Sequence, residues 1–383
     1  MKIQVRRDQG FARVCRSALA FALLMGVLSL IAQPTPDSVS ASSNASSSAP
    51  NTANVPDKQE PPTDRSIRGA TQEWILVDGL TRSFWLYVPR KYRSHESALI
   101  IALHGRGSGG PGTAMEQYTS LDEKADQVGF AVAYLDGLTD AIGTVNWNYF
   151  YDPFFTTAPN DVSFVRETID SLQNRIHPGR RRIYVTGTSA GGFMAERVGV
   201  ELSDRAAAIG VVEGGLFVYS PQSPQTIPNA AEPISVLLLK GDQDPFNQYC
   251  GAIFPSFGAT EASSDQDFDY WAGPSANQCL RVYPNASLCN SIGVGDAQGN
   301  VTPGMTSSLV RKEAAGCRAD TEVRLYRLLG GGDRWNQSPM NVPGQVPFNP
   351  DLDAHTGVTT NDIYGNFLKS IPNVNSVNTD GQP

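Results

Sequence analysis

One run constrains this chain more than any other: Ile183-Tyr184-Val185-Thr186-Gly187-Thr188-Ser189-Ala190-Gly191-Gly192. Strand-forming residues lead into Gly-x-Ser-x-Gly, and a helix-compatible segment from Phe193 to Leu202 follows. A serine at such a corner sits in a strained turn. The flanking glycines let the backbone pass without a Cβ clash, so the hydroxyl stands clear of the sheet edge and the next N–H points at a substrate oxygen. Upstream, Val162, Val165, Ile169, Leu172 and Ile176 recur at helical spacing, and His177-Pro178-Gly179 breaks the helix before the strand. Helix, break, apolar strand, glycine corner and helix is the order a parallel sheet requires. A serine in an ordinary strand-to-helix turn is the rival reading, and this order favours Ser189 as a nucleophile.

The ends stand apart from this pattern. Lys2, Arg6, Arg7, Arg13 and Arg16 precede an uncharged run from Ser17 to Ala32, so residues 1–32 read as a secretory signal or, alternatively, an N-terminal anchor. Val39-Ser40-Ala41 offers a small-residue cleavage site, with Ala32 as the second choice. Residues 33–70 are rich in Ser, Pro, Ala and Asn and too poor in large apolar groups to offset their ordering entropy, which predicts a disordered linker. Residues 71–371 are the expected folded domain and 372–383 a disordered tail. The formal charge of −8 becomes about −11 without residues 1–41, which hold five basic and two acidic groups. No basic stripe remains to neutralise phosphates, so neither nucleic acid nor an anionic membrane is an expected partner.

Within the domain, Arg82 to Val88 has strand composition and stops at Pro89. Ala98 to Leu103 is continuously apolar, the mark of a strand covered on both faces. It ends in His104-Gly105-Arg106-Gly107-Ser108-Gly109-Gly110, a turn able to bring the N–H of Gly105 or Arg106 beside that of Ala190 as an oxyanion hole. A phosphate loop would need the lysine and hydroxyl residue that are missing here. A helix near Ser120 to Val128, a strand from Phe130 to Tyr134 and an aromatic loop follow. Trp147 and Tyr149 in that loop are satellite core or walls of an apolar acyl pocket.

Further strands are expected at Ala206 to Val212, Ile234 to Leu239 and Thr321 to Leu329, with an irregular insertion between Gly251 and Gly316. The second of these strands ends in Lys240-Gly241-Asp242-Gln243-Asp244-Pro245. An acid after a strand downstream of the serine is where a triad keeps the residue that orients its histidine. Asp244 is the first choice and Asp242 the second. Four cysteines follow the leader, Cys250, Cys279, Cys289 and Cys317, consistent with two disulfides in any of three pairings. No Cys-x-x-Cys occurs and His is scarce, so neither a metal nor a cofactor is expected.

These pieces together resemble the secreted esterases grouped as polyhydroxybutyrate depolymerases and feruloyl or acetylxylan esterases. The likeness extends from about Arg82 to Lys369. It is carried by Leu86-Tyr87-Val88-Pro89, Leu103-His104-Gly105, Asn160 to Phe164, Gly187 to Gly192, Gly241 to Pro245, Trp271 with Cys279, Gly316-Cys317, and the glycines at 330–332. The resemblance implies an α/β-hydrolase: a mostly parallel sheet with helices on both faces and an irregular disulfide-bearing insertion. It implies Ser189 as nucleophile, Asp244 as acid and Cys279 paired with Cys317, which leaves Cys250 for Cys289.

One departure bears on mechanism. The family carries its catalytic histidine directly after the glycine triplet, and this chain has Asp333 there. A carboxylate near its ordinary pKa is a poor base for an alcohol. His355, in the same loop, keeps the chain order Ser189, Asp244, His355 and is the expected substitute. The glycine turn also differs, with Arg106 where the family usually has a glycine. The expectation is a secreted serine carboxylesterase acting on small-molecule or oligomeric esters. The alternative is a catalytically impaired binding protein on a hydrolase scaffold.

Overall fold

The computed structural model describes residues 69–107, 111–140, 143–150, 159–219, 227–251, 253–254, 259–283, 287–289 and 309–328, together with Gly332, Thr360 and Phe367. The three runs without a polar side chain, Leu99–Leu103 (β3), Ala131–Leu135 (β4) and Ala208–Val212 (β6), are buried at every position. A strand with no polar face has to be covered on both sides, and these lie inside the sheet. Ile183–Thr188 (β5) and Ser235–Gly241 (β7) join them. Thr71–Val77 (β1), Leu80–Tyr87 (β2), Arg281–Tyr283 (β8), Leu309–Ala315 (β9) and Val323–Leu328 (β10) complete ten strands, in the order β1-β2-β4-β3-β5-β6-β7-β10-β9-β8. From β4 to β10 every neighbouring pair is parallel; β1 with β2, β2 with β4, β10 with β9 and β9 with β8 are antiparallel.

Alternation along the strands divides the core in two. On one face Ile101, Leu103, Val185, Val211, Val236 and Leu238 pack against three helices, Asp161–Arg175 (α3), Ala190–Glu201 (α4) and Ser264–Ala272 (α5). On the other, Ile100, Ala102, Val132, Tyr184, Leu237 and Leu239 pack against Met115 of Pro111–Thr119 (α1), Leu121 and Ala125 of Leu121–Val128 (α2), and Phe367. A mostly parallel sheet with helices on both faces is the α/β-hydrolase architecture.

The insertion is more regular than its composition suggests. Residues 251–316, expected to be irregular, hold α5 and two strands that extend the sheet. Ser263 accepts the Gln266 N–H at 3.2 Å while the Gln266 side chain accepts the Ser263 N–H at 2.9 Å, closing a capping box at the start of α5. The strand β1 and helix α1 were not anticipated either. Disulfides join Cys250 to Cys289 and Cys279 to Cys317, and such bridges fit an oxidising compartment. Thr360 and Phe367 are helical. Among the described residues no helix is long and apolar enough to cross a membrane.

Candidate active site

The strand β5 ends at Thr188, and Ser189 turns the chain with φ 52° and ψ −120° into α4. A non-glycine residue there costs on the order of 1–3 kcal/mol and persists only where its surroundings enforce it. They do so by close backbone approach. A Cβ on Gly191 would meet the Leu103 carbonyl oxygen at 2.1 Å, and one on Gly187 would meet the Gly191 carbonyl oxygen at 2.1 Å. A Cβ on Gly214 would strike the Gly192 carbonyl carbon at 2.5 Å. The glycines of the motif therefore set the contact distance between α4 and the strands on either side. The Ser189 N–H donates to the Val212 carbonyl at 2.9 Å, tying the corner to β6. Ala190 opens α4, and its N–H has no intrahelical acceptor.

Parallel pairing of β3 with β5, Leu103 opposite Gly187, carries the next turn to the serine. A Cβ on Gly105 would lie 3.5 Å from the Ser189 Cβ. His104 fixes that turn. Its Nε2 lies 2.9 Å from the Gly137 N–H and must accept, so Nδ1 carries the proton and donates to the Gly105 carbonyl at 2.7 Å. Burial pushes the imidazole down to about 4, which keeps it neutral. The Trp147 Nε1–H donates to the His104 carbonyl at 2.8 Å. With the Gly105 C=O drawn inward, the Arg106 N–H of the same trans peptide points the opposite way. Each of the two expected oxyanion donors in this turn thus has one anchored peptide, that of the Gly105 N–H through Trp147 and that of the Arg106 N–H through His104. The sequence placed His104 in the glycine turn but gave no sign of this function, because its partner Gly137 lies 33 positions away.

The acid loop follows β7. Asp242 is an ion-pair partner of Arg327 at 2.9 Å, both side chains buried. Asp244 is buried as well. Its Oδ1 accepts the N–H groups of Phe246 at 2.7 Å and Asn247 at 2.9 Å, while Oδ2 is buried with no hydrogen-bond partner among the described residues. Burial raises this carboxyl, and the two amide bonds work against that shift. Between the serine strand and the acid strand lies only β6, so the two corners are about 10 Å apart, two strand spacings. Gly332 approaches the same loop: a Cβ there would be 3.9 Å from the Gln243 carbonyl oxygen.

Three of the four histidines have other places. His95 and His177 stack with ring centroids 5.0 Å apart. They lie at the end of the sheet where β3 and β5 begin, opposite Ser189, and His104 is buried in the glycine turn. His355 lies outside the described residues, as does Asp333.

Trp147 and Tyr149, expected as core or pocket wall, are both buried. Tyr149 packs on Phe193, in the first turn of α4, at 5.3 Å and on Phe217 at 5.5 Å; Phe150 and Phe217 are the half-buried members of this cluster. Arg82 anchors the loop from below. It pairs with Asp161 at 2.7 Å, whose other oxygen accepts the Asn148 N–H at 2.6 Å.

Behind the acid loop, Lys240 of β7 pairs with Glu261 at 2.6 Å, neither side chain exposed. Glu196 of α4 accepts the Trp271 Nε1–H at 2.7 Å, and Asp267 of α5 lies against the same group. The sequence reading had no entry point to this cluster, because its members come from four separate segments. Among the described residues no group of three His, Cys, Asp or Glu side chains is arranged to hold a metal ion.

No family model matches the chain. "Putative esterase NocK" of Nocardia uniformis subsp. tsuyamanensis is 29% identical over 363 residues, 92% of this chain and 97% of that protein. "Feruloyl esterase B" of Piromyces equi is 27% identical over 207 residues, 53% of this chain and 34% of that protein. The chain has an α/β-hydrolase fold, and the relatives it is similar to are named esterases. Among solved structures an acetyl xylan esterase from Aspergillus awamori is similar over 78% of this chain and 99% of its own at 11% identity, with a TM-score of 0.47.

Proposed function

We propose that the protein is a secreted serine carboxylesterase that uses Ser189, His355 and Asp244 on small-molecule or oligomeric esters of hydroxyalkanoate, feruloyl or acetyl type. The observation that carries this reading is Asp244 Oδ2: a buried carboxylate oxygen without a hydrogen-bond partner among the described residues, on a loop next to Gly332 and two strands from the serine. An unpaired buried acceptor is costly unless a donor reaches it, and the Nδ1–H of an imidazole is the donor a triad provides. The other three histidines are placed elsewhere by the described residues, which leaves His355 for this role.

In this mechanism Ser189 Oγ attacks the ester carbonyl as His355 takes its proton. The N–H groups of Ala190 and of Gly105 or Arg106 hold the oxyanion, and the alcohol leaves with the proton from His355. Water then attacks the acyl-enzyme by the same proton path in reverse and releases the acid. The two disulfides support an exported protein. The test is hydrolysis of p-nitrophenyl butyrate. Ser189→Ala and His355→Ala are each expected to lower kcat by on the order of 10³ or more. Full activity in His355→Ala moves the base elsewhere. An inert wild-type protein favours the binding-protein reading that Asp333 motivates.

A further inference from the structure

The resemblance leaves one feature unexplained. This chain puts a long cation at the turn beside the nucleophile, where the related esterases usually have a glycine. Arg106 follows Gly105, the residue in van der Waals contact range of Ser189. Its Nη2 pairs with Asp140 Oδ2 at 3.1 Å, and the two side chains keep 34% and 26% of their surface exposed. Asp140 is fixed from behind: its Oδ1 accepts the Thr144 N–H at 2.9 Å, and its own N–H donates to the Thr144 carbonyl at 2.7 Å. The guanidinium is thus aimed by one contact, and its remaining donors bind nothing among the described residues. Among the described residues, two other basic groups of this region are committed. Lys240 is buried on Glu261, and Arg197 binds Glu201 and the carbonyls of Asn148 and Phe150.

We infer that Arg106 is a specificity residue that selects esters bearing a carboxylate several bonds from the scissile carbonyl, gripped by the free edge of a guanidinium that Asp140 holds in place. This rests on the serine esterase reading. A guanidinium presents paired donors that match a carboxylate, and one held by a single part-exposed ion pair gives little up in accepting a second anion. The chain is acidic, with a formal charge of −8, so selection for an anion has to come from a local cation.

The experiment compares kcat/KM for mono-p-nitrophenyl adipate, with its carboxylate on the acyl side, and para-carboxyphenyl hexanoate, with its carboxylate on the alcohol side. Each is divided by the value for the neutral p-nitrophenyl hexanoate. Arg106→Gln is expected to lower one of these ratios about tenfold, the size of a hydrogen bond to a charged group. Asp140→Asn keeps an acceptor for Nη2 while removing its charge, and is expected to raise the same ratio about threefold to fivefold. The arm that responds tells which side of the ester carries the anion. Ratios that stay put in both variants overturn the inference while hydrolysis of the neutral ester, lost in Ser189→Ala, leaves the esterase reading standing. Absence of any wild-type hydrolysis removes the esterase reading itself.

Discussion

The two halves of the candidate site are held by different physics. The serine corner is held by shape: Gly187, Gly191, Gly192 and Gly214 let α4 and the sheet approach until no Cβ fits between them. The acid corner is held by charge: Asp242 on Arg327, Lys240 on Glu261, and the Glu196 and Asp267 carboxyls beside Trp271, all buried. Shape responds to side-chain volume and is indifferent to pH, whereas buried charge responds to both pH and the loss of a partner. The chain thus joins a corner that is either assembled or not to one whose stability follows the state of a few protons.

The largest effect separating the two belongs to the serine corner. Gly191→Ala drives a methyl group into the Leu103 carbonyl, so it is expected to cost more than about 4 kcal/mol or to prevent folding. Urea denaturation checks this, and a loss below about 1 kcal/mol would break the shape side of the comparison.

Next in size is Lys240→Met, which strands Glu261 as an unpaired buried carboxylate at a cost of about 3–5 kcal/mol. Adding Glu261→Gln is expected to restore most of that loss. If the double variant is as unstable as the single one, Lys240 acts through packing and the charge side of the comparison fails.

The smallest effect is the most diagnostic. Burial pushes Asp267 up to about 7 and Glu196 well above the usual carboxylate range. The folded chain therefore keeps a proton that the unfolded chain, with carboxyls near 4, has lost. Its stability falls as pH rises from about 4 to about 7. Glu196→Gln supplies a permanent neutral donor, so the dependence of thermal stability on pH is expected to flatten across that window. A profile parallel to that of the wild type would show that the pair holds no such proton.

The same division explains what could be read from the sequence. The serine corner was legible because its constraints are local: strand, glycines and helix lie within a few residues of one another, and α3 shows its apolar period directly. The acid corner was legible only in part. Asp244 and Asp242 look alike in sequence, and the difference between them is Arg327, 85 positions from Asp242. The helix α5 was hidden for the same reason. The partners of its acidic residues, Lys312 at 3.0 Å from Asp265 and Lys240 near Asp267, arrive from other strands. The edge strand β1 and the next-to-edge strand β9 carry mixed polarity and so lack the continuous apolar run that marked β3. The base is the one component whose position rests on order along the chain.

The central claim is that Ser189 is an activated nucleophile and that His355 activates it. The most direct measurement is the second-order rate at which a fluorophosphonate labels Ser189, in the wild-type protein and in His355→Gln. The account predicts rapid labelling of the wild type and a rate lower by on the order of 10³ in the variant. Equal rates in the two proteins, or no labelling of either, would contradict it.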